Sequence, residues 1–237
     1  MKTIKNLFLL VFVSMLGINA ASFAGENDKT EIRNTKSFNS IQVSTGIDLY
    51  LKMGSSEEVK IISDEDIIDK VITEVKDGTL KIYVKKSNIF NWGLNKTRKA
   101  YVTVKELEKI SASSGSDVRT ENTLKGDNLE IRLSSGSDVE MDVIYKNLSI
   151  DASSGSDAKL QGKVKTLEAE ASSGSDINAQ NLESQVCKVR ASSGSDISVN
   201  VSEEIRANAS SGADIKYYGN PDIKDIDESS GGDVKRK

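Results

Sequence analysis

Seven aspartates recur at a fixed place in a repeated pentapeptide, Ser-Ser-Gly-x-Asp: Asp117, Asp138, Asp157, Asp176, Asp196, Asp214 and Asp233. These are the residues best spaced to do chemistry. If the repeats stack, the carboxylates form a file about 5 Å apart, the spacing of neighbouring strands. Calcium takes about six to eight oxygen ligands, and the adjoining Ser hydroxyls and backbone carbonyls could complete such a set. The competing reading is structural. Each Asp accepts hydrogen bonds from its own corner's N–H groups and Ser hydroxyls, while water screens a repulsion of about 1 kcal/mol between neighbours. We expect the structural role, no obligate cofactor, and at most a weak Ca²⁺ column. The calcium-binding β-roll has a nine-residue period opening on Gly-Gly, and this chain has neither.

Composition removes other chemistries. The chain has no His, which excludes Ser-His-Asp and Cys-His catalysis and any His-ligated metal. Its one cysteine, Cys187, excludes an internal disulfide and a thiolate zinc cluster. A net charge of -4 and a pI near 5.2 argue against a nucleic-acid partner. Paired carboxylates could cleave glycosides, and a carbohydrate-active enzyme is the alternative function. Against it, the acids repeat regularly instead of forming a unique pair. Aromatic residues are also only 5%, too few for a typical sugar cleft. We expect no catalytic residue. The Ser-Ser-Gly runs are not phosphate loops, because strands and not helices follow them. Cys187 shares parity with the apolar residues around it and is expected to be a buried small hydrophobe.

The elements that position these residues follow from the period. The corner glycines are Gly115, Gly136, Gly155, Gly174, Gly194, Gly212 and Gly231, with steps of 21, 19, 19, 20, 18 and 19 residues. A period near 19 marks one supersecondary unit stacked repeatedly. Around each copy the apolar residues alternate, as Leu129, Ile131, Leu133 and then Val139, Met141, Val143 do. Period-2 alternation means half-buried strand. The fold is therefore expected to be all-β: a right-handed, single-stranded parallel β-helix with an irregular β N-terminal end. Alternation carried straight through the pentapeptide would point the second Ser and the x residue inward, and the first Ser, Gly and Asp outward. Gly at the apex would take the positive φ.

The first third lacks the pentapeptide but keeps its logic. Thr45-Gly46-Ile47-Asp48 is a degenerate copy with Gly46 as its corner. Residues 64–76 could hold a short helical turn, and Asp77-Gly78 signals a hairpin. From Gly46 to Gly115 is 69 residues, not a whole number of coils, so this portion carries insertions. Its Phe90, Trp92, Lys96 and Arg98 either pack onto the end of the rod or contact a sugar, lipid or protein partner.

The leader is separate. Lys2 and Lys5 precede a short apolar run at 7–16, and Ser22-Phe23-Ala24 suits a signal peptidase. The expected layout is a signal peptide at 1–24, an extension at 25–37, an N-terminal β portion at 38–105 and the repeat β-helix at 106–237. Residues 38–237 form one continuous domain. Export to the periplasm, cell surface or medium follows, with no membrane span after cleavage.

Phe38-Asn-Ser-Ile41-Gln-Val43, Asp77-Gly-Thr-Leu80-Lys-Ile82 and Tyr101-Val-Thr-Val-Lys-Glu-Leu107, leading into Gly-Ser-Asp repeats, resemble the auto-transporter adhesin, head GIN domain family. Lys105 departs from the family pattern, which has Pro before Glu-Leu. The resemblance implies a secreted, non-enzymatic binding or structural module of the cell envelope, adhesin-like, acting on an envelope glycan or protein. A periplasmic scaffold acting through a protein partner is a further alternative. The family brings no catalytic residues to transfer.

Overall fold

The computed structural model describes residues 28–85 and 96–237. The first part of the chain contributes β1 (Asp28–Ile32), β2 (Ser40–Ser44), β3 (Asp48–Met53), β4 (Glu58–Asp64), a 3₁₀ turn (Ile68–Lys70), β5 (Val71–Lys76), β6 (Thr79–Val84) and β7 (Arg98–Val104). The repeat portion contributes β8 (Lys109–Ser113), β9 (Asp117–Thr120), β10 (Leu124–Ser134), β11 (Asp138–Ala152), β12 (Asp157–Ala171), β13 (Asp176–Ala191), β14 (Asp196–Ala209), β15 (Asp214–Tyr218), β16 (Ile223–Glu228) and β17 (Asp233–Arg236). The molecule is all-β, a solenoid of about 19 residues per coil.

Each coil has an incoming leg that ends at the first Ser of a pentapeptide and an outgoing leg that starts at its Asp. Equivalent legs pair in parallel, one coil on the next. Asp138 stands beside Asp157, Asp157 beside Asp176, and Asp176 beside Asp196. The long strands β11 to β14 run from one corner to the next and reverse once between. There the alternation slips: Tyr145 and Leu148 are both buried, with Lys146 and Asn147 exposed between them. Gly162 lies just before the equivalent slip in β12, with φ +117°. A Cβ there would sit 2.1 Å from the Val143 carbonyl oxygen, so the close approach of two coils requires glycine.

The corner differs from the expected alternation at one residue. The second Ser is left-handed as well as the Gly, with φ of 50–57° from Ser114 to Ser230. Two successive left-handed residues make a type I′ reversal. That reversal turns the second Ser outward, and Ser114, Ser135 and Ser154 are exposed. Only the x residue points in, and Ser116, Ser137, Ser156 and Ser175 are fully buried. Their hydroxyls bond to backbone. Ser175 Oγ donates to Ala152 O of the preceding coil at 2.7 Å and accepts from the Ser172 amide at 3.1 Å. Ser195 Oγ repeats the first bond to Ala171 O at 2.9 Å. A larger x residue would not fit between the two legs, and the later copies hold Ala213 and Gly232.

The core is a ladder of Ile, Val, Leu and Ala side chains. Just before the corner the inward residue is Ala at 112, 152, 171, 191 and 209, where the legs converge and space is least. Cys187 is fully buried in this core. Tyr145 is buried too, and its hydroxyl donates to Leu107 O at 3.0 Å.

The Gly46 corner is a true coil, with Thr45 and Gly46 both left-handed. β2 and β3 pair with β8 and β9, Ile41 beside Ile110 and Leu49 beside Val118. The insertion between them builds the end of the rod. β6 and β7 form one more coil on the outer side of β2 and β3. The chain therefore makes its first coil, travels outward, returns through an outer coil, and only then continues. β4 lies antiparallel on β7, β5 antiparallel on β6, and β1 antiparallel on β4. Residues 28–32 thus join the sheet. The expected helical turn is the 3₁₀ turn at Ile68–Lys70, and Asp77-Gly78 turns the β5–β6 hairpin with φ of 50° and 72°. At the other end, β16 places Lys224 and Glu228 in register with the inward Ile205 and Ala209. Inward charges on a last strand discourage further pairing.

Candidate functional site

The incoming legs expose two residues per coil, at positions fixed by the register. Going along the rod these are Lys109 and Ser111, Glu130 and Arg132, Ser149 and Asp151, Glu168 and Glu170, Lys188 and Arg190, Arg206 and Asn208, then Asp225 and Asp227. This wall is concave. A cavity of about 290 Å³ at Gln42, Ser44, Lys81 and Tyr83 is followed by one of about 350 Å³ at Ser40, Thr79, Lys109 and Ser111. Next comes one of about 600 Å³ at Asn128, Glu130, Asn147, Ser149 and Thr166. The last, about 430 Å³, runs from Glu168 and Glu170 to Asp225 and Asp227. Glu168 lines both of the last two, so they are continuous. The residues that point inward behind this wall include the small, buried Ala169, Ala171, Ala191 and Ala207.

Charges on the wall are partly paired. Lys109 Nζ lies 3.0 Å from Glu130, and Arg132 also bonds Glu130. The Lys109 hydrogen bond, helped by Arg132, holds the Glu130 carboxyl below its ordinary range. Arg190 meets Glu170 at 3.5 Å, and Arg206 Nε meets Glu204 at 2.7 Å. Asn208 donates to Asp227 at 2.8 Å. Among the described residues Lys188 has no ion pair.

The predicted Asp file stands on the outgoing legs, in register from Asp117 to Asp233. Its carboxylates bond differently from expectation. Asp138 accepts from the amide of Asp157 at 3.3 Å, and Asp176 from that of Asp196 at 3.2 Å, so the acceptor serves the next coil and not its own corner. Partial burial raises the pKa of Asp157, and its neighbours Asp138 and Asp176 raise it further. Asp117 is raised by burial, with Arg119 opposing. Among the described residues no three acids gather around one point as a metal site. Beyond the file, Tyr50 and Tyr101 stack at 4.7 Å, and Lys60 lies 4.5 Å over the Tyr101 ring. The Tyr101 ring is thus engaged by both Tyr50 and the lysine.

Of the predicted contact cluster, Phe90 and Trp92 lie outside the described residues. Lys96 reaches Asp66 at 3.1 Å and Asp64 at 3.4 Å, while Asp64 accepts from the Thr97 amide at 2.6 Å. Arg98 opens β7, with a terminal guanidinium nitrogen 3.4 Å from where a Cβ on Gly46 would be. Lys96 ties the approach to β7 to the end of β4, and both cations stand away from the concave wall. Tyr217 is buried and Tyr218 half-buried, so neither supplies a sugar platform on that wall. The wall's charges escaped the reading of single motifs. They show only when the two positions three and five residues before each second Ser are compared from coil to coil.

Fold and surface together define a parallel β-solenoid, closed at one end by an antiparallel plug and grooved along one wall. Residues 37–221 match the family model described as "Putative auto-transporter adhesin, head GIN domain", and the chain belongs to that family. A putative adhesin from Bacteroides fragilis is similar to it, with 25% identity over 90% of this chain and 98% of that one, at a TM-score of 0.84. A putative lipid binding protein from Parabacteroides distasonis shares the fold at 21% identity and TM-score 0.72, again covering 90% and 98%. So does a putative adhesin from Parabacteroides merdae, at 16% identity and TM-score 0.67 over the same shares. No curated protein matches the chain. Among the described residues no helix is long and apolar enough to cross a membrane.

Proposed function

We propose that this chain is an exported, non-enzymatic binding module of the bacterial cell envelope, adhesive in kind, whose concave wall holds an extended polar partner. The observation that carries this reading is the run of four cavities along one wall, lined by Ser, Thr, Asn, Gln and charged side chains. A rigid rod with such a lining offers many weak contacts in a row, and a long partner gains avidity from their number. Family membership and the adhesin-like neighbours support it. The chemistry of the wall supports binding over hydrolysis. Its acids recur at the same two positions from coil to coil and do not form the isolated pair that glycoside hydrolysis uses.

The test is adherence of the labelled mature chain, residues 25–237, to intact envelopes. Ser149→Trp fills the middle of the wall and is expected to abolish adherence. Asn178→Trp, on the outgoing legs, is expected to preserve it. Adherence that survives Ser149→Trp and fails with Asn178→Trp overturns the reading.

A further inference from the structure

We infer that the 430 Å³ end of the concave wall recognises a carboxylate on a sparsely charged acidic polysaccharide. This deepens the reading above and rests on it. The cations Lys188, Arg190 and Arg206 occupy two adjacent coils. Lys188 has no ion pair among the described residues. Arg190 makes one long contact, at 3.5 Å, and Arg206 is held through Nε alone. A guanidinium carries five N–H donors, so donors remain at both arginines for an incoming anion, in the fork geometry that fits a carboxylate.

The flanks narrow the choice. Glu168 and Glu170 stand on the coil before the cations, and Asp225 and Asp227 on the coil after Arg206. The positive band is therefore only about two strand spacings wide, roughly 10 Å, with acids on either side. A densely charged chain laid along the rod would meet those acids and be repelled. A chain with one carboxylate among neutral hydroxylated units would not. A peptide is disfavoured for another reason. Extended peptides bind by adding a strand to a sheet edge. Here the surface is a sheet face, whose backbone is already engaged in pairing β12 to β13, β13 to β14 and β14 to β16. Among the described residues no aromatic lines this end of the wall, so each contact is weak and length supplies the affinity.

The experiment titrates the mature chain with oligosaccharides of hyaluronan and gellan, in which neutral sugars separate the carboxylates, with their carboxyl-reduced forms, and with heparin and polyglutamate. At least one carboxylated sugar is expected to bind and to weaken with salt. Reduction of its carboxyls, or the triple change Lys188→Gln, Arg190→Gln and Arg206→Gln, is expected to cost about tenfold or more in affinity. A second variant, Glu168→Gln with Asp225→Asn, is expected to admit heparin, a gain that misfolding could not produce. Absence of binding to every carboxylated sugar overturns the inference, as does tighter binding of heparin or polyglutamate to the unaltered chain. Equal binding of reduced and native chains also overturns it. If that equal binding is lost in Ser149→Trp, the concave-wall reading stands while the anion inference falls. If it survives Ser149→Trp, both fall.

Discussion

The amide of Gly155 donates to the carbonyl oxygen of Ser173, one coil along, at 3.2 Å. The same bond runs from Gly174 to Ser193 and from Gly194 to Ser211, at 3.2 and 3.1 Å. The interstrand ladder thus passes through the corners without a break. A turn normally leaves backbone groups for water or side chains to satisfy. Here the next turn satisfies them, and this explains why the second Ser and the Gly are held left-handed in every copy.

Two glycines separate the cost of conformation from the cost of space. Gly174 has φ +67°, and a Cβ added to it would meet nothing within 4 Å, so Gly174→Ala bears only the left-handed penalty. That is about 1–2 kcal/mol, or a fall of a few degrees in Tm for a chain of this size. At Gly162 the new methyl would lie 2.1 Å from a carbonyl oxygen. Gly162→Ala is expected to cost well over about 3 kcal/mol or to prevent folding. Thermal melts of the two variants check the order, and equal midpoints would refute it.

The aspartate file is expected to stabilise the rod when its charge is removed. In Asp138→Asn/Asp157→Asn/Asp176→Asn the amide oxygen can still accept the next coil's N–H, while the repulsion, about 1 kcal/mol per pair before screening, disappears. The folded pKa of Asp157 is raised, so the native state holds its proton more tightly than the unfolded chain does. Ionisation therefore costs stability above the raised value, and that cost fades as pH falls through it toward the ordinary carboxylate range. The variant's gain in Tm should be full at pH 7 and vanish in acid. Melts across that range would show a constant gap if the file's charge were irrelevant.

The same file bears on calcium. Its carboxylates accept backbone amides and do not converge, so melts with Ca²⁺ and with EDTA are expected to give equal midpoints. A midpoint raised several degrees by Ca²⁺ would establish a metal column.

Cys187 should be inert in the folded protein. Burial pushes its thiol up to about 11, against a contact with Ser184 Oγ at 2.9 Å. A thiolate is the reactive form, so a disulfide-exchange reagent at pH 8 is expected to label it only after denaturation. Rapid labelling of the native chain would contradict the buried placement.

Much of this architecture is legible in the sequence because a repeat converts one-dimensional spacing into stacking. Leu129, Ile131 and Leu133 announce their strand by parity, and Gly136 its corner by type. The Gly46 corner is readable for the same reason. The second Ser is not, since two left-handed residues in succession break the alternation that locates everything else, and Ser carries no strong signal for positive φ. Nor is the order of the first coils. Thr79 beside Ser40 is a long-range pairing, and local pattern in β6 says strand without saying against which neighbour. The cations at Lys188, Arg190 and Arg206 are hidden differently. Their meaning lies across coils, in which charges stand above and below, and not along the chain.

The outer placement of β6 and β7 has an evolutionary consequence. Because the first coil is walled in by a later segment, a duplication that adds one whole unit of about 19 residues cannot be absorbed at that end without rebuilding the plug. Between Gly115 and Gly231 it meets less resistance, since the residues beside each corner pair in one register from coil to coil and the shifts fall in mid-leg. A rod of this build is thus free to lengthen or shorten in one stretch of the chain, and the groove with it.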